Sequence, residues 1–171
     1  MSIYLNKAWE EFQRTMAGLS DKSQPKDVFL LIQSWLEEHE GLLHLNGIKE
    51  YSLHEYINID INKYPIQYSN LRDEELKSFK KKISLPHRDV SGIGRVINGA
   101  LERLVVFEVG EYCLNCGKYG LGAYEDPNFE KIVLECNQCG YAIYEDEHPY
   151  DNKNKIVPAT EASLRKFRYI I

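Results

Sequence analysis

Four cysteines stand between residues 113 and 139, and the chain has no others. They form two Cys-x-x-Cys pairs, Cys113-Leu-Asn-Cys116 and Cys136-Asn-Gln-Cys139, and each pair is followed by a glycine, Gly117 or Gly140. Two residues between cysteines let one tight turn aim both sulfurs at a single ion. A glycine after the second cysteine suits a backbone that turns sharply there. The 19 residues between the pairs are enough for a β-hairpin that runs out and back, with Asp126-Pro127-Asn128 as its turn. Zn²⁺ prefers four soft ligands in a tetrahedron, so the expectation is one structural Zn²⁺ held by Cys113, Cys116, Cys136 and Cys139. Four sulfurs complete the shell and leave no coordination position for water, which makes this metal structural. A thioredoxin-type redox pair calls for one Cys-x-x-Cys at a helix start in a βαβ setting, and two disulfides call for an oxidising compartment. Structural zinc in a small module contributes on the order of 10–16 kcal/mol at neutral pH.

The residues before the cysteines read as helices. Leu5, Ala8, Trp9, Phe12, Met16 and Leu19 repeat with helical period, and so do Val28, Leu31, Ile32, Trp35 and Leu36. Pro25 stands between them, in the first turn of the second helix, and the short polar link makes the two antiparallel neighbours. Asn46-Gly47 signals a small hairpin within residues 42 to 68. A third helix is expected after Asn70, with Asp73, Glu74 and Glu75 at its positive end and Lys80, Lys81 and Lys82 at its negative end. Pro86 interrupts the chain, and Ile93, Val96, Ile97, Ala100, Leu101 and Leu104 mark a fourth helix, which Ser91-Gly-Ile-Gly-Arg95 begins. Val105 to Val109 read as a strand leading to the first cysteine pair. Asp151 to Pro158 read as a polar linker, and Thr160 as the cap of a short last helix. The expected fold is α+β: a helical body over 1–109 ending in a strand, a β-rich metal module over 110–150, and a linker and helix over 151–171.

Residues 110 to 145 resemble the zinc-ribbon superfamily. The resemblance implies the same four ligands, Cys113, Cys116, Cys136 and Cys139. No resemblance covers the full chain.

His39, His44, His54, His87 and His148 are scattered, and the glycines near residue 93 match neither a P-loop nor a dinucleotide fingerprint. No catalytic constellation assembles, so the sequence reads as that of a protein that is not an enzyme. The first ten residues show no secretory h-region, and no apolar run is long enough to span a bilayer, so a soluble, cytoplasmic protein is expected.

Charge sharpens the expectation. Ten acidic residues against Lys118 and Lys131 give the stretch from Glu108 to Asp151 a charge of −8, within a total of −5. Such a surface repels phosphate, which makes nucleic acid an unlikely ligand of the ribbon. The same stretch holds six tyrosines, and tyrosine among carboxylates suits a basic protein partner. Tyr124, Tyr144, Glu145, Asp146 and Glu147 are the candidate contact residues. In overall character the chain is similar to bacterial immunity or antitoxin proteins, which implies an inhibitor of a basic, nuclease-like toxin. The alternative is a nucleic-acid-associated or transcription-regulatory protein that uses Lys77, Lys80, Lys81, Lys82, Arg88 and Arg95.

Overall fold

The computed structural model describes residues 3–85, 89–151 and 154–171. Pro86, His87 and Arg88, together with Asn152 and Lys153 of the expected linker, lie outside the described residues. The chain combines helices with one antiparallel sheet and divides into two compact units. One comprises residues 1–59 and 70–104, the other residues 60–69 and 105–171. No described helix is long and apolar enough to cross a membrane.

The first unit is helical. Helix α1 (Ile3–Gly18) buries Leu5, Ala8, Trp9, Phe12 and Met16, and α2 (Pro25–Glu38) buries Val28, Phe29, Ile32, Trp35 and Leu36. Pro25 opens α2, where its missing N–H costs no helical hydrogen bond. Asp27 accepts from the Gln24 amide at 3.0 Å, so its carboxylate lies at the positive end of α2. Trp35 donates its indole N–H to the Ala8 carbonyl at 2.9 Å and its ring lies tilted against Phe12, 5.0 Å between centres, which ties the two helices together. Helix α3 (Asp73–Ile83) carries the expected acids in its first turn and lysines in its last. Lys80 bonds to both Asp21 and the Leu19 carbonyl, at 2.8 and 2.7 Å.

Helix α4 spans Val90–Val105, so Val105 ends a helix where the sequence suggested the start of a strand. Its period-3.6 burial continues through Leu104 and Val105, and the extended backbone begins only at Phe107. The glycines do begin this helix, and Gly94 has a packing reason. A Cβ there would stand 2.7 Å from the Tyr51 ring and 2.9 Å from the Gly47 carbonyl oxygen. The hairpin expected at Asn46-Gly47 is absent. Short 3-10 turns occupy Glu40–His44, Lys49–Tyr51 and Leu53–Tyr56 instead. Gly47 does take positive φ (94°), but the apolar residues around it do not alternate, so no strand face can form. Leu42, Leu43, Ile48 and Leu53 are buried one by one from successive turns.

The second unit is built on five antiparallel strands: β1 (Phe107–Tyr112), β2 (Tyr119–Asp126), β3 (Lys131–Glu135), β4 (Ala142–Tyr144) and β5 (Val157–Pro158). Strand β2 is central. One of its edges pairs with β3, from Gly122↔Glu135 to Asp126↔Lys131. Its other edge is shared in sequence, β1 opposite Tyr119 to Ala123 and β5 opposite Tyr124 and Glu125. The expected linker therefore contributes a strand. Thr160 caps helix α5 (Glu161–Lys166), accepting from the Ser163 amide at 3.2 Å, and its own hydroxyl donates to Glu125 at 2.8 Å. Residues 60–69 also belong here, through the Glu161 amide on the Lys63 carbonyl (2.8 Å) and an edge-on ring contact of Tyr68 with Phe107.

The sheet is covered on both faces. Val109, Leu121, Ala123, Ile132, Leu134, Ile143, Leu164 and Ile170 form one cluster, and Val133, Ala142 and Tyr150 with Tyr124, Tyr144 and Ile156 form the other. Asp126, at the end of β2, is fully buried. Its carboxylate accepts from the Tyr144 hydroxyl, the Asn154 side-chain amide and the Asn128 amide, each at 3.0 Å. Burial raises the pKa of this group, and these hydrogen bonds outweigh it, leaving the carboxyl below the usual carboxylate value.

A depressed folded-state pKa contributes stability that is present above the unfolded value, near 4, and is lost as pH falls through the folded one. Acid titration should therefore loosen the sheet unit below about pH 4, and Asp126→Ala should make that step smaller. The same variant should cost about 2–4 kcal/mol at neutral pH, since it leaves buried donors unpaired. Denaturant melts of both proteins at pH 7 and pH 3 measure both effects.

Candidate metal centre

Hydrogen bonding across the sheet places both cysteine turns at one end of it. The first joins β1 to β2 and closes at the pair Tyr112↔Tyr119; the second joins β3 to β4 and closes at Glu135↔Ala142. The two turns repeat one geometry. Cys113 N–H bonds to the Lys118 carbonyl at 2.8 Å, and Cys136 N–H to the Tyr141 carbonyl at 2.9 Å. Gly117 and Gly140 donate back to the carbonyls of Cys113 and Cys136, both at 2.9 Å, with φ of 71° and 69°. The glycines are needed because an L side chain at such a φ is strained. In each pair the first cysteine is buried and the second exposed.

The four sulfurs converge, all within 4.8 Å of one another. Cys113 Sγ lies 3.6 Å from Cys139 Sγ, and Cys116 Sγ lies 3.6 Å from Cys136 Sγ. A disulfide would need about 2.05 Å, and all four cysteines are free. A tetrahedral ion with bonds of about 2.3 Å to sulfur has edges of about 3.8 Å, so the spacing fits a single four-coordinate metal. These four cysteines can hold one metal ion.

Crowding shows in the acidities. A hydrogen bond from the Asn115 side chain, then one from the Tyr141 amide, bring the Cys139 thiol down to about 6. The Lys118 amide pulls Cys116 the same way, but desolvation and the three other cysteines push it up to about 12. One thiol gives up its proton readily and another resists, as expected where four sulfurs crowd one site.

The residues expected to face a partner are placed less simply. Tyr124 packs, half-buried, in the second sheet cluster. Tyr144 donates to Asp126, lies edge-on to Tyr150 and sits beneath the Lys131 ammonium, 5.1 Å from the ring centre. Its hydroxyl pKa rises to about 12, through burial first and the Asp126 carboxylate second. Asp146 is paired with Lys131 at 2.6 Å and with His148 at 3.1 Å, and the lysine brings its carboxyl down to about 2. Glu145 is half-buried, and Glu147 is exposed at a turn with φ of 66°.

Several exposed apolar groups lie elsewhere in this unit, Phe129 among them. Tyr112, Leu114 and Tyr119, on and beside the first cysteine turn, are 68%, 71% and 53% exposed, and the rings of Tyr112 and Tyr119 meet edge-on at 5.0 Å. The signal for Leu114 was present in the sequence. A residue between two cysteines that bind one ion must point away from that ion.

No family model and no solved structure matches the chain. A curated protein from Encephalitozoon cuniculi, named aldose reductase, is 25% identical over 139 residues, covering 78% of this chain. The chain spans 42% of that relative's length. That relative is an enzyme by name, and this corrects the expectation that the chain is not an enzyme. A likeness spread thinly over 139 residues leaves no compact catalytic motif in the sequence.

Protein desalted after loading with one equivalent of zinc should retain one ion per chain by elemental analysis, and Cys136→Ser should bring this well below one, because three ligands hold an ion more weakly. Chelation should disorder the cysteine turns while most of the far-ultraviolet helix signal persists, since α1 to α4 bury their own apolar faces. A single-step loss of helix on chelation would show that the two units unfold together.

Proposed function

We propose that this chain is a zinc-ribbon protein that binds a basic protein partner, in the manner of an immunity or antitoxin protein blocking a nuclease-like toxin. Zinc is the metal of this reading because four thiolates at tetrahedral spacing, with no open position and no need for redox chemistry, suit Zn²⁺ best. Its role is structural: it fixes the two hairpin ends of the sheet. The observation that carries the partner reading is the exposed set Tyr112, Leu114 and Tyr119 on a segment that also bears Glu108 and Glu111. Aromatic and aliphatic groups would anchor the partner while carboxylates steer it in. Glu145 and Glu147 would add to the steering, whereas Tyr144 belongs to the sheet's own packing.

The nucleic-acid alternative has less support. Of its basic residues, Lys77 is paired with Glu74 at 2.5 Å, Lys80 with Asp21 at 2.8 Å, and Arg95 bonds to the Tyr51 hydroxyl. A second reading follows the curated relative: the chain reduces an aldose. The 25% likeness is its support, and formation of a sugar alcohol from an aldose and a hydride donor by the purified chain would establish it.

Partner association should be fast at low salt and slow as salt rises, because exposed charges are screened beyond about 8–10 Å. Tyr112→Ala and Leu114→Ala should each weaken binding about thirtyfold, mainly through the off-rate, without lowering zinc content. Tyr144→Ala should instead lower stability. Pull-down from the native host, followed by surface plasmon resonance with these variants, makes the measurement. Tight binding to mixed RNA or DNA that is lost on neutralising Lys80, Lys81 and Lys82 would favour the alternative.

A further inference from the structure

The helical unit holds a second group of metal-ligating side chains, separate from the cysteines. Glu11 on α1, Glu38 at the end of α2 and His39 immediately after it bring one ligand atom each to within 4.8 Å of the others. His39 is the informative member. It is only 7% exposed, yet its Nε2 has no hydrogen-bond partner. That nitrogen faces Glu11 Oε2 at 3.5 Å, too long for a hydrogen bond of ordinary strength. A buried, unpaired ring nitrogen is costly unless something else satisfies it.

The rest of the ring is held in place. Nδ1 is 3.2 Å from the Tyr4 hydroxyl, and the ring lies against both Tyr4 and Trp35, at 5.9 and 5.4 Å between centres. In the tautomer with its proton on Nδ1, the imidazole donates to the Tyr4 oxygen and turns the Nε2 lone pair towards the carboxylates. Metal-bound histidines are oriented by this kind of outer hydrogen bond. Tyr4 and Glu11 are two helical turns apart on one face of α1, so a single helix supplies both the orienting hydroxyl and a carboxylate. Glu11 is about half exposed, at 48%, which leaves a route from solvent.

We propose that Glu11, Glu38 and His39 form a second metal site, for a divalent transition ion bound through one imidazole and two carboxylates. Three protein ligands leave positions open to water, unlike the closed shell of four sulfurs. Imidazole with carboxylates suits Mn²⁺, Fe²⁺, Co²⁺ or Zn²⁺ better than the soft ions that seek thiolate. The site does not depend on what the cysteine end of the molecule binds.

The test uses the full chain loaded with one equivalent of zinc and titrated with Mn²⁺, which does not displace zinc from thiolates. Free Mn²⁺ is followed by electron paramagnetic resonance. One Mn²⁺ per chain should bind, and Glu11→Gln and Glu38→Gln should each weaken it at least tenfold with zinc content unchanged. Tyr4→Phe should weaken it about tenfold, as loss of an outer-shell partner does. His39→Gln should abolish binding; should that variant fail to fold, the two glutamate variants decide the matter. No Mn²⁺ uptake by the zinc-loaded chain at millimolar concentration would overturn the proposal, and so would uptake that both glutamate variants leave unchanged.

Discussion

Four cysteine sulfurs are gathered at one end of a small sheet, two cross-pairs of them only 3.6 Å apart. As thiolates they repel one another, and as thiols they offer only weak hydrogen bonds. Neither state gives the chain a reason to hold the two turns together. A metal ion, which these four cysteines can hold, would supply one by converting mutual repulsion into four attractive bonds. The order of strands is compatible with that closure: β2 and β3 pair along their length, and the β1–β2 and β3–β4 turns emerge at the same end. The opposite end of the sheet uses a different device. There the buried Asp126 carboxylate takes hydrogen bonds from Tyr144, Asn154 and Asn128, so one anion organises several donors. The sheet is thus pinned at one end by neutral donors converging on a buried carboxylate, and its other end gathers four sulfurs that can hold a metal ion.

What could be read from sequence follows the range of the interactions involved. The cysteine turns were legible because spacing and glycine placement are local, and the matched φ of Gly117 and Gly140 follows from them. Helices α1 and α2 were legible because their apolar residues recur with helical period over several turns, and Pro25 marks where the second begins. Residues 42–68 were not, because Leu42, Leu43, Ile48 and Leu53 are buried without any period. The last strand, inside the expected linker, left no trace for a related reason. A two-residue strand such as Val157–Pro158 carries no alternation, and only the unfilled edge of β2 beside Tyr124 and Glu125 gives it a place.

The tyrosines show why a residue's type falls short of its role. Six of them lie in the acidic stretch, and composition treats them alike. The fold separates them: Tyr144 and Tyr150 face one another inside the sheet cluster, while Tyr112 and Tyr119 stand out beside a cysteine turn. The histidines divide in the same way. Read from sequence, all five are scattered, and only the packing of α1 against α2 sets His39 between Tyr4 and Trp35 with Glu11 opposite its free nitrogen. Pairing between residues 35 positions apart leaves no local trace.

The shared edge of β2 bears on how this chain avoids its own kind. Strand β1 stops opposite Ala123, and the backbone groups of Tyr124 and Glu125 beyond it would be open to any extended peptide. Val157 and Pro158 close that gap, and Pro158 presents no amide hydrogen with which a further strand could be recruited. The C-terminal segment therefore acts as a seal on the sheet. A chain cut short before Val157 would carry an unguarded strand edge, flanked by the half-buried Tyr124 ring, and would be prone to join other copies of itself edge to edge.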